Sequence, residues 1–86
     1  MSKTIFFAVK DELAETFYSP SLFNTEAEAT RNFKTAINNN PIWRDNASDF
    51  SLYKLGEFDD VTGMITTDLH KIVTGHSVKT KGVQNE

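Results

Sequence analysis

The segment SLYKLGEFDDVTGMI, residues 51–65, constrains the fold more than any other part of the chain. Side-chain character alternates along its first residues, as it does between the two faces of a β-strand. The DDVTG that follows combines aspartate, which favours the start of a turn, with Gly63, which adopts a positive φ without strain. A strand over residues 50–58, a type I turn with a left-handed glycine and a returning strand over 64–67 form a hairpin. The chain is therefore expected to contain an antiparallel sheet.

The adjacent aspartates of this turn, Asp59 and Asp60, can also be interpreted as cation ligands. A hard cation needs several oxygen ligands, and calcium-binding loops place carboxylates at alternate positions with a bidentate glutamate at the end. Here Val61 follows the pair directly, and no glutamate stands at that spacing. The turn interpretation is favoured, and neither a metal nor a cofactor is expected.

A second glycine, Gly56, lies inside the predicted strand, where glycine usually marks a bulge or the close approach of another group. The structural interpretation is that Trp43, Phe6 or a helix residue packs over it. The functional interpretation is that a nucleotide or a partner backbone approaches there. Bulges are frequent beside hairpins, which favours the structural interpretation.

The sequence TEAEATRNFKTAINNNP predicts one amphipathic helix over residues 25–39. Thr25 and Glu28 have the spacing of a capping box, in which each side chain satisfies a free backbone N–H. Four apolar residues then recur at helical spacing and form a single stripe; they are Ala29, Phe33, Ala36 and Ile37. The run of asparagines before Pro41 ends the helix, because asparagine competes for backbone hydrogen bonds and the residue before proline avoids the α region.

Three more segments have strand-like patterns. Residues 4–10 carry apolar side chains on both faces, which is typical of a central strand or of one covered by a helix on one side and a partner on the other. Residues 17–23 are expected to be an edge segment, because Pro20 lacks an amide hydrogen. Residues 69–73 are expected to form a last short strand.

Together these elements predict an α+β fold, with one amphipathic helix packed on a small, mostly antiparallel β-sheet. Residues 42–49 are interpreted as a connection with Trp43 folded back onto the core. We expect a single domain over residues 1–74. Residues 75–86 are polar without an apolar period, and this predicts a mobile C-terminal tail.

The chain has 86 residues and no cysteine, so neither disulfides nor thiolate-bound metals can supplement a thin core. Small scaffolds often gain stability by oligomerising, and a homodimer is expected. The first apolar run is too short for an export signal or a membrane span. We therefore expect a soluble, cytoplasmic protein without membrane contact.

The net charge of −3 argues against coating of nucleic acid by bulk charge. The distribution is uneven, since residues 1–69 carry a balance of −5 and residues 70–86 a balance of +2. Single strands are held by aromatic platforms and basic grooves, and the candidates for such contacts are Arg31, Lys34, Trp43, Arg44, Tyr53 and Lys54, with help from Lys79 and Lys81.

Each candidate has a structural alternative. Arg31 can pair with Glu28 or Thr35, Trp43 can cover the core, and Lys54 can guard a sheet surface. Catalysis has little support, because the chain lacks cysteine and the common nucleophile, phosphate-loop and zinc motifs. We expect a protein that is not an enzyme.

Four stretches together resemble the small nonstructural protein of gokushoviruses, which are single-stranded DNA phages of the microvirus family. The stretches are TIFFAVKD, SP, TEAEATRNFKTAINNNP and DFSLYKLGEFDDVTG. Within them the shared pattern is Asp11 after the first strand, Pro20 before apolar residues, Ala29 with Arg31-Asn32-Phe33, Asn40-Pro41, Leu52-Tyr53, Leu55-Gly56, Phe58-Asp59 and Thr62-Gly63. The resemblance covers residues 4–66, and its last block is the most specific.

The resemblance implies a nonstructural phage protein that binds single-stranded DNA and acts in genome replication or packaging in the host cytoplasm. Viral replication or capsid proteins are further expected partners. The acidic net charge fits either binding through a local patch or a second hypothesis, in which the chain is a dimeric protein-interaction module. In that second case, a free strand edge or an aromatic patch engages a viral or host protein.

Overall fold

The computed structural model describes residues 3–80, which form a five-stranded sheet with helices packed on it. The strands are β1 (Lys3–Asp11), β2 (Thr16–Phe17), β3 (Ser21–Phe23), β4 (Phe50–Asp59) and β5 (Ile65–Thr74). The helices are α1 (Glu26–Asn39), α2 (Pro41–Asp45) and α3 (Gly75–Val78), with a 3-10 turn at Ala47–Asp49. The expected α+β class is confirmed.

All strand pairings in the sheet are antiparallel. The order is β2-β1-β4-β5, and β3 pairs with β1 on the same side as β2. β1 therefore lies inside the sheet, as its apolar residues on both faces predicted. Residues 17–23 are the expected edge segment, but residues 18–20 divide it into two very short strands.

The predicted helix begins and ends where its sequence signals placed it. The Thr25 hydroxyl accepts a hydrogen bond from the Glu28 N–H at 3.1 Å. The Glu28 carboxylate accepts one from Asn24 at 3.2 Å, one residue earlier than a capping box predicts. The apolar stripe of α1 packs on one face of the sheet, and the buried core consists of Phe7, Ala29, Phe33, Ile37, Ala47, Phe50 and Leu52.

The region predicted to be a connection contains regular structure. Asn40 caps α2, since its side-chain oxygen accepts from the N–H groups of Ile42 and Trp43, and Pro41 occupies the first turn. Asn40 also ends α1, so two helices meet at one extended residue. The sequence signal for the end of one helix was at the same time the signal for the start of the next.

The hairpin has the expected turn and a longer second strand than expected. The segments predicted at 64–67 and 69–73 are one strand, β5. In the turn, the Asp59 carboxylate accepts hydrogen bonds from the N–H groups of Val61 and Thr62, and Gly63 has a φ of 78°. The carboxylate thus stabilises the turn itself, which is the structural interpretation of DDVTG.

Gly56 lies at a bulge, as expected, but the group that approaches it is different. The registers of β4 with β1 and with β5 both shift beside this residue. A Cβ at Gly56 would collide with the carbonyl oxygen of Thr66. The backbone of β5, and not Trp43, Phe6 or a helix side chain, therefore requires glycine here.

Residues 75–80 are packed, which corrects the prediction of a mobile tail for this part of the chain. Gly75 is buried against the Ala47 carbonyl and the Ile37 side chain, and Val78 packs on the core. The Thr80 N–H donates to the Asn38 side chain at 2.8 Å. Polar residues here satisfy polar groups of α1, so the lack of an apolar period did not reveal the packing. The rest of the predicted tail, residues 81–86, lies outside the described residues.

Candidate nucleic-acid interface

The two faces of the sheet differ in what covers them. Side chains of β1 alternate, so that Ile5, Phe7 and Val9 pack toward the helices. The opposite face carries Phe6, Ala8 and Lys10, and cross-strand partners extend it onto the other strands. We call it the open face, and its further residues are Phe17, Leu22, Tyr53, Phe58, Ile65, Thr67, Leu69 and Lys71.

A group of aromatic and charged side chains lies at one end of the open face, and we call it the Tyr53 cluster. It consists of Lys10, Glu12, Phe17, Tyr53 and Lys71. The Phe17 and Tyr53 rings meet edge to face with centroids 5.2 Å apart. The Lys10 Nζ lies 5.7 Å and the Lys71 Nζ 5.8 Å from the Tyr53 centroid, within cation–π range. Two ammonium groups therefore lie near one half-buried aromatic ring on the sheet face opposite the helices.

Glu12 holds the Tyr53 cluster together. Its carboxylate accepts a hydrogen bond from the Tyr53 hydroxyl at 3.0 Å and lies 3.2 Å from the Lys71 Nζ and 3.5 Å from the Lys10 Nζ. Burial raises the pKa of Glu12, but hydrogen bonds from Tyr53, Lys71 and Ser51 outweigh this and lower it to about 2. The pKa of Lys71 is raised, chiefly by its hydrogen bond to Glu12. With two lysines and one carboxylate, the cluster keeps a net positive charge.

Arg31 and Lys34 lie elsewhere, on the exposed side of α1. An open groove of about 360 Å³ runs past both residues. Its other walls are polar and are formed by Thr35, Asn38, Asn39 and Thr80. Neither cation forms an ion pair within residues 3–80, so the pairing of Arg31 with Glu28 does not occur there. This helical groove is separated from the open face by the thickness of the sheet and α1.

Arg44 and Trp43 have structural partners. The Arg44 guanidinium donates to the Asn38 side chain at 3.0 Å and to the Thr80 hydroxyl at 2.9 Å. The Trp43 ring stacks on Phe50 with centroids 4.6 Å apart and planes 17° apart, and it also contacts Tyr18. Trp43 therefore covers the core, which was its structural alternative, and Arg44 fastens the C-terminal segment.

Lys54 does not lie beside Tyr53, because neighbouring residues of a strand point to opposite faces. Its Nζ is 3.1 Å from the Glu57 carboxylate and 3.2 Å from that of Asp68. Its side chain is only 16% exposed. The hydrogen bond to Glu57, and then that to Asp68, raises the pKa of Lys54. The charge of Lys54 is thus paired with carboxylates of the sheet itself.

The structure therefore separates the six candidate residues. Arg31 and Lys34 share one groove, while Tyr53 is the only candidate on the open face. The sequence analysis missed three residues that surround it: Lys10, Phe17 and Lys71. Lys10 and Phe17 become neighbours only through the β1–β2 register, and Lys71 reaches Tyr53 through the β4–β5 register. The alternation of residues 4–10 groups Lys10 with Phe6 and Ala8 on one face of the strand, which was the one available signal.

Two further observations limit the chemistry of residues 3–80. Within this range, no group of three or more histidine, aspartate or glutamate side chains is arranged to hold a metal ion. No helix in the same range is long and apolar enough to cross a membrane.

Comparison with known proteins identifies the family. A search of curated proteins and a search of solved structures each gave no significant match. The family model described as Phage ORF5 protein matches residues 4–78. This range includes β1, α1, the hairpin and the packed C-terminal helix α3. The chain therefore belongs to the phage ORF5 protein family and is a phage protein.

Proposed function

We propose that this phage protein binds single-stranded DNA on the open face of its sheet and serves genome replication or packaging in the host cytoplasm. One observation carries the proposal: the half-buried Tyr53 ring lies on the sheet face opposite the helices, with the ammonium groups of Lys10 and Lys71 5.7 and 5.8 Å from its centroid. The resemblance to gokushovirus nonstructural proteins supports the same role. The membership of the chain in a phage protein family agrees with this role.

The chemistry of the Tyr53 cluster suits a single strand better than a duplex. Unpaired bases expose their π-faces and stack on aromatic side chains, whereas paired bases do not. The Lys10 and Lys71 Nζ atoms lie over the ring in the free protein, so a stacking base displaces them and they then contact the phosphates on either side of it. Phe17 is 38% exposed and extends the aromatic surface. Binding through such a local patch is compatible with a net charge of −3, because screening limits the reach of the distant acidic groups.

In the Tyr53 cluster, the lysines can exchange one anionic partner, the Glu12 carboxylate, for another, a DNA phosphate. Glu12 holds Lys71 and Lys10 in the absence of DNA. The carboxylate keeps the lysines in place before DNA binds. A phosphate that approaches either ammonium must compete with it, and this competition lowers the free energy gained on binding DNA. Affinity is therefore expected to be moderate and strongly dependent on salt.

The experiment is a salt-titrated fluorescence anisotropy measurement with a labelled single-stranded oligonucleotide. Tyr53→Leu keeps an apolar side chain but removes the stacking platform, and it is expected to weaken binding about 5- to 160-fold, the usual range for one stacked base. Lys71→Gln is expected to reduce the slope of log affinity against log salt by about 0.7, the value for one phosphate contact of a single strand.

Lys34→Gln is the matched control, because it removes an exposed lysine from the helical groove instead of from the open face. We expect it to leave affinity and slope nearly unchanged. If Lys34→Gln weakens binding while Tyr53→Leu and Lys71→Gln do not, DNA follows the helical groove and the proposed face is wrong.

A second candidate function is a protein-interaction module. The observation that favours it is the apolar part of the open face, where Leu22, Ile65 and Leu69 are 48%, 59% and 61% exposed. Such surfaces commonly engage proteins. If the oligonucleotide stays unbound at low salt and micromolar protein, the DNA proposal fails. Nuclease-resistant capture of a viral replication or capsid protein would then support the alternative.

A further inference from the structure

β5 is the one long free edge among the described strands. The opposite edge of the sheet consists of β2 and β3, which are two and three residues long and separated by Pro20. β5 has ten residues and pairs only with β4. Residues 65–71 are exposed, whereas residues 72–74 are half-buried. A row of unpaired backbone groups along this exposed part can pair with another strand.

Charged side chains usually protect such an edge, but here Asp68 and Lys71 are already paired with other residues of their own chain. The Asp68 carboxylate reaches across the sheet to the Lys54 Nζ at 3.2 Å. The Lys71 Nζ reaches Glu12, also at 3.2 Å, and lies near the Tyr53 ring. Both charges are held over the sheet by residues of β4 and of the segment after β1. They therefore do not block the approach of another strand along β5.

The residues of β5 are complementary to a second copy of the same strand in one register. In an antiparallel pair, two directly opposed residues point to the same face of the sheet. A two-fold axis perpendicular to the sheet meets this condition only where it passes between the two copies of one residue. An axis at Asp68 would oppose two aspartates, and an axis at His70 would oppose two histidines. An axis at Leu69 opposes leucine to leucine, and places Asp68 of each copy opposite His70 of the other. This register removes the like pairs. The Asp68 carboxylate, which lies 3.2 Å from the Lys54 Nζ and 3.6 Å from the His70 Nδ1 of its own chain, then also faces the imidazole of the partner copy.

We propose that two copies of this chain pair edge to edge through β5, antiparallel and centred on Leu69. The contact joins the two sheets into one, with the segment 67–71 of each copy opposed to 71–67 of the other. The two-fold axis is perpendicular to the sheet, so both open faces lie on the same side of the dimer. This gives the homodimer expected for so small a chain a defined interface, and it stands independently of DNA binding.

Single cysteines test the register, because the chain has no cysteine of its own. Leu69→Cys places two thiols on directly opposed residues, whose Cβ atoms are about 5 Å apart, and mild oxidation is expected to link most of the protein as a covalent dimer. Thr67→Cys is the matched control on the same strand and face. In the proposed register its two copies are roughly 13 Å apart, so it is expected to link poorly.

Charge variants at His70 test the complementarity without disturbing the fold, since this side chain is half exposed. His70→Lys opposes a permanent positive charge to the partner copy's aspartate, and His70→Glu opposes a negative one. At neutral pH we expect the dimer dissociation constant to fall in the first variant and rise in the second, by roughly 2- to 30-fold for two cross-strand pairs. His76→Glu is the control, because His76 lies on α3, away from residues 67–71.

Sedimentation velocity over a concentration series, in the absence of DNA, gives the dissociation constants. Dimerisation with this order of affinities, together with linkage of Leu69→Cys, supports the proposal. A monomer at all concentrations, faster linkage of Thr67→Cys, or equal dimerisation of the two His70 variants would each overturn it. Because the measurement contains no nucleic acid, its failure leaves the test of DNA binding unaffected.

Discussion

Asn38 connects the end of α1 to α2 and to the C-terminal segment, and its removal is the sharpest test of the packing described above. Its side-chain Nδ2 donates to the Lys34 carbonyl at 2.8 Å and to the Val78 carbonyl at 3.0 Å. Its Oδ1 accepts from the Arg44 guanidinium at 3.0 Å and from the N–H and hydroxyl of Thr80 at 2.8 and 3.0 Å. Four of these five bonds join separate elements.

The magnitude for Asn38→Ala follows from these four bonds. Each intramolecular hydrogen bond contributes about 0.5–1.5 kcal/mol net, and the lower half of the range applies because the site is partly exposed. The loss is therefore about 2–4 kcal/mol. Alanine returns roughly 0.6 kcal/mol through its higher helix propensity. We expect the free energy of unfolding to fall by about 2 kcal/mol, which corresponds to a decrease in Tm of roughly 8–16 °C for a chain of this size.

Urea unfolding followed by circular dichroism measures this change. Asn39→Ala is the control, since Asn39 is the neighbouring exposed residue of α1. Asn38→Asp keeps the acceptor for Arg44 and Thr80 but loses the donor to Val78, and is expected to lie between Asn38→Ala and the unmodified protein. If Asn38→Ala unfolds within about 0.5 kcal/mol of the control, residues 75–80 do not contribute to the stability of the domain as the structure implies.

Two further predictions concern Gly56 and Glu12. Gly56→Ala is expected to destabilise the protein by about 3 kcal/mol or more, because the new Cβ meets the Thr66 backbone. Gly63→Ala is expected to cost only about 1–2 kcal/mol, because Gly63 has a positive φ but open space around it. Equal losses in urea unfolding would contradict this. The pKa of Glu12 is lowered from 4.5 to about 2, so its stabilisation is complete above pH 4.5 and is lost as the pH falls toward 2. The stability difference between Glu12→Gln and the unmodified protein should therefore shrink over that range, and a constant difference would refute the role of the Tyr53 cluster.

Local patterns were sufficient for most of the secondary structure. Thr25, the apolar stripe of α1 and the asparagines before Pro41 act within a few residues, so the helix bounds could be predicted. The hairpin was also predictable, because Asp59 and Gly63 stabilise the turn through groups inside the turn itself. The α2 helix was missed because Asn40 carries two signals at once, and the stop signal of α1 concealed the start of α2.

The proposed DNA-binding surface was harder to predict from the sequence, because it depends on the register of the strands. Tyr53 and Lys54 are adjacent in the sequence and were predicted to act together, yet a strand directs them to opposite faces. Lys10 and Lys71 are distant in the sequence, yet both reach the Tyr53 ring. No local pattern reports such a grouping, since it arises only when three strands align.

The sequence by itself determined the class of fold, the position of the long helix, the hairpin and the need for glycine at position 63. Each of these rests on interactions among residues close along the chain. Only the tertiary structure decided which cations of residues 3–80 form ion pairs, which aromatic rings are exposed, why Gly56 must be glycine and that residues 75–80 belong to the packed domain. Those properties depend on groups such as Thr66, Glu12 and Asn38, which meet their partners across strands or between helices, and their energies exist only once the sheet has formed.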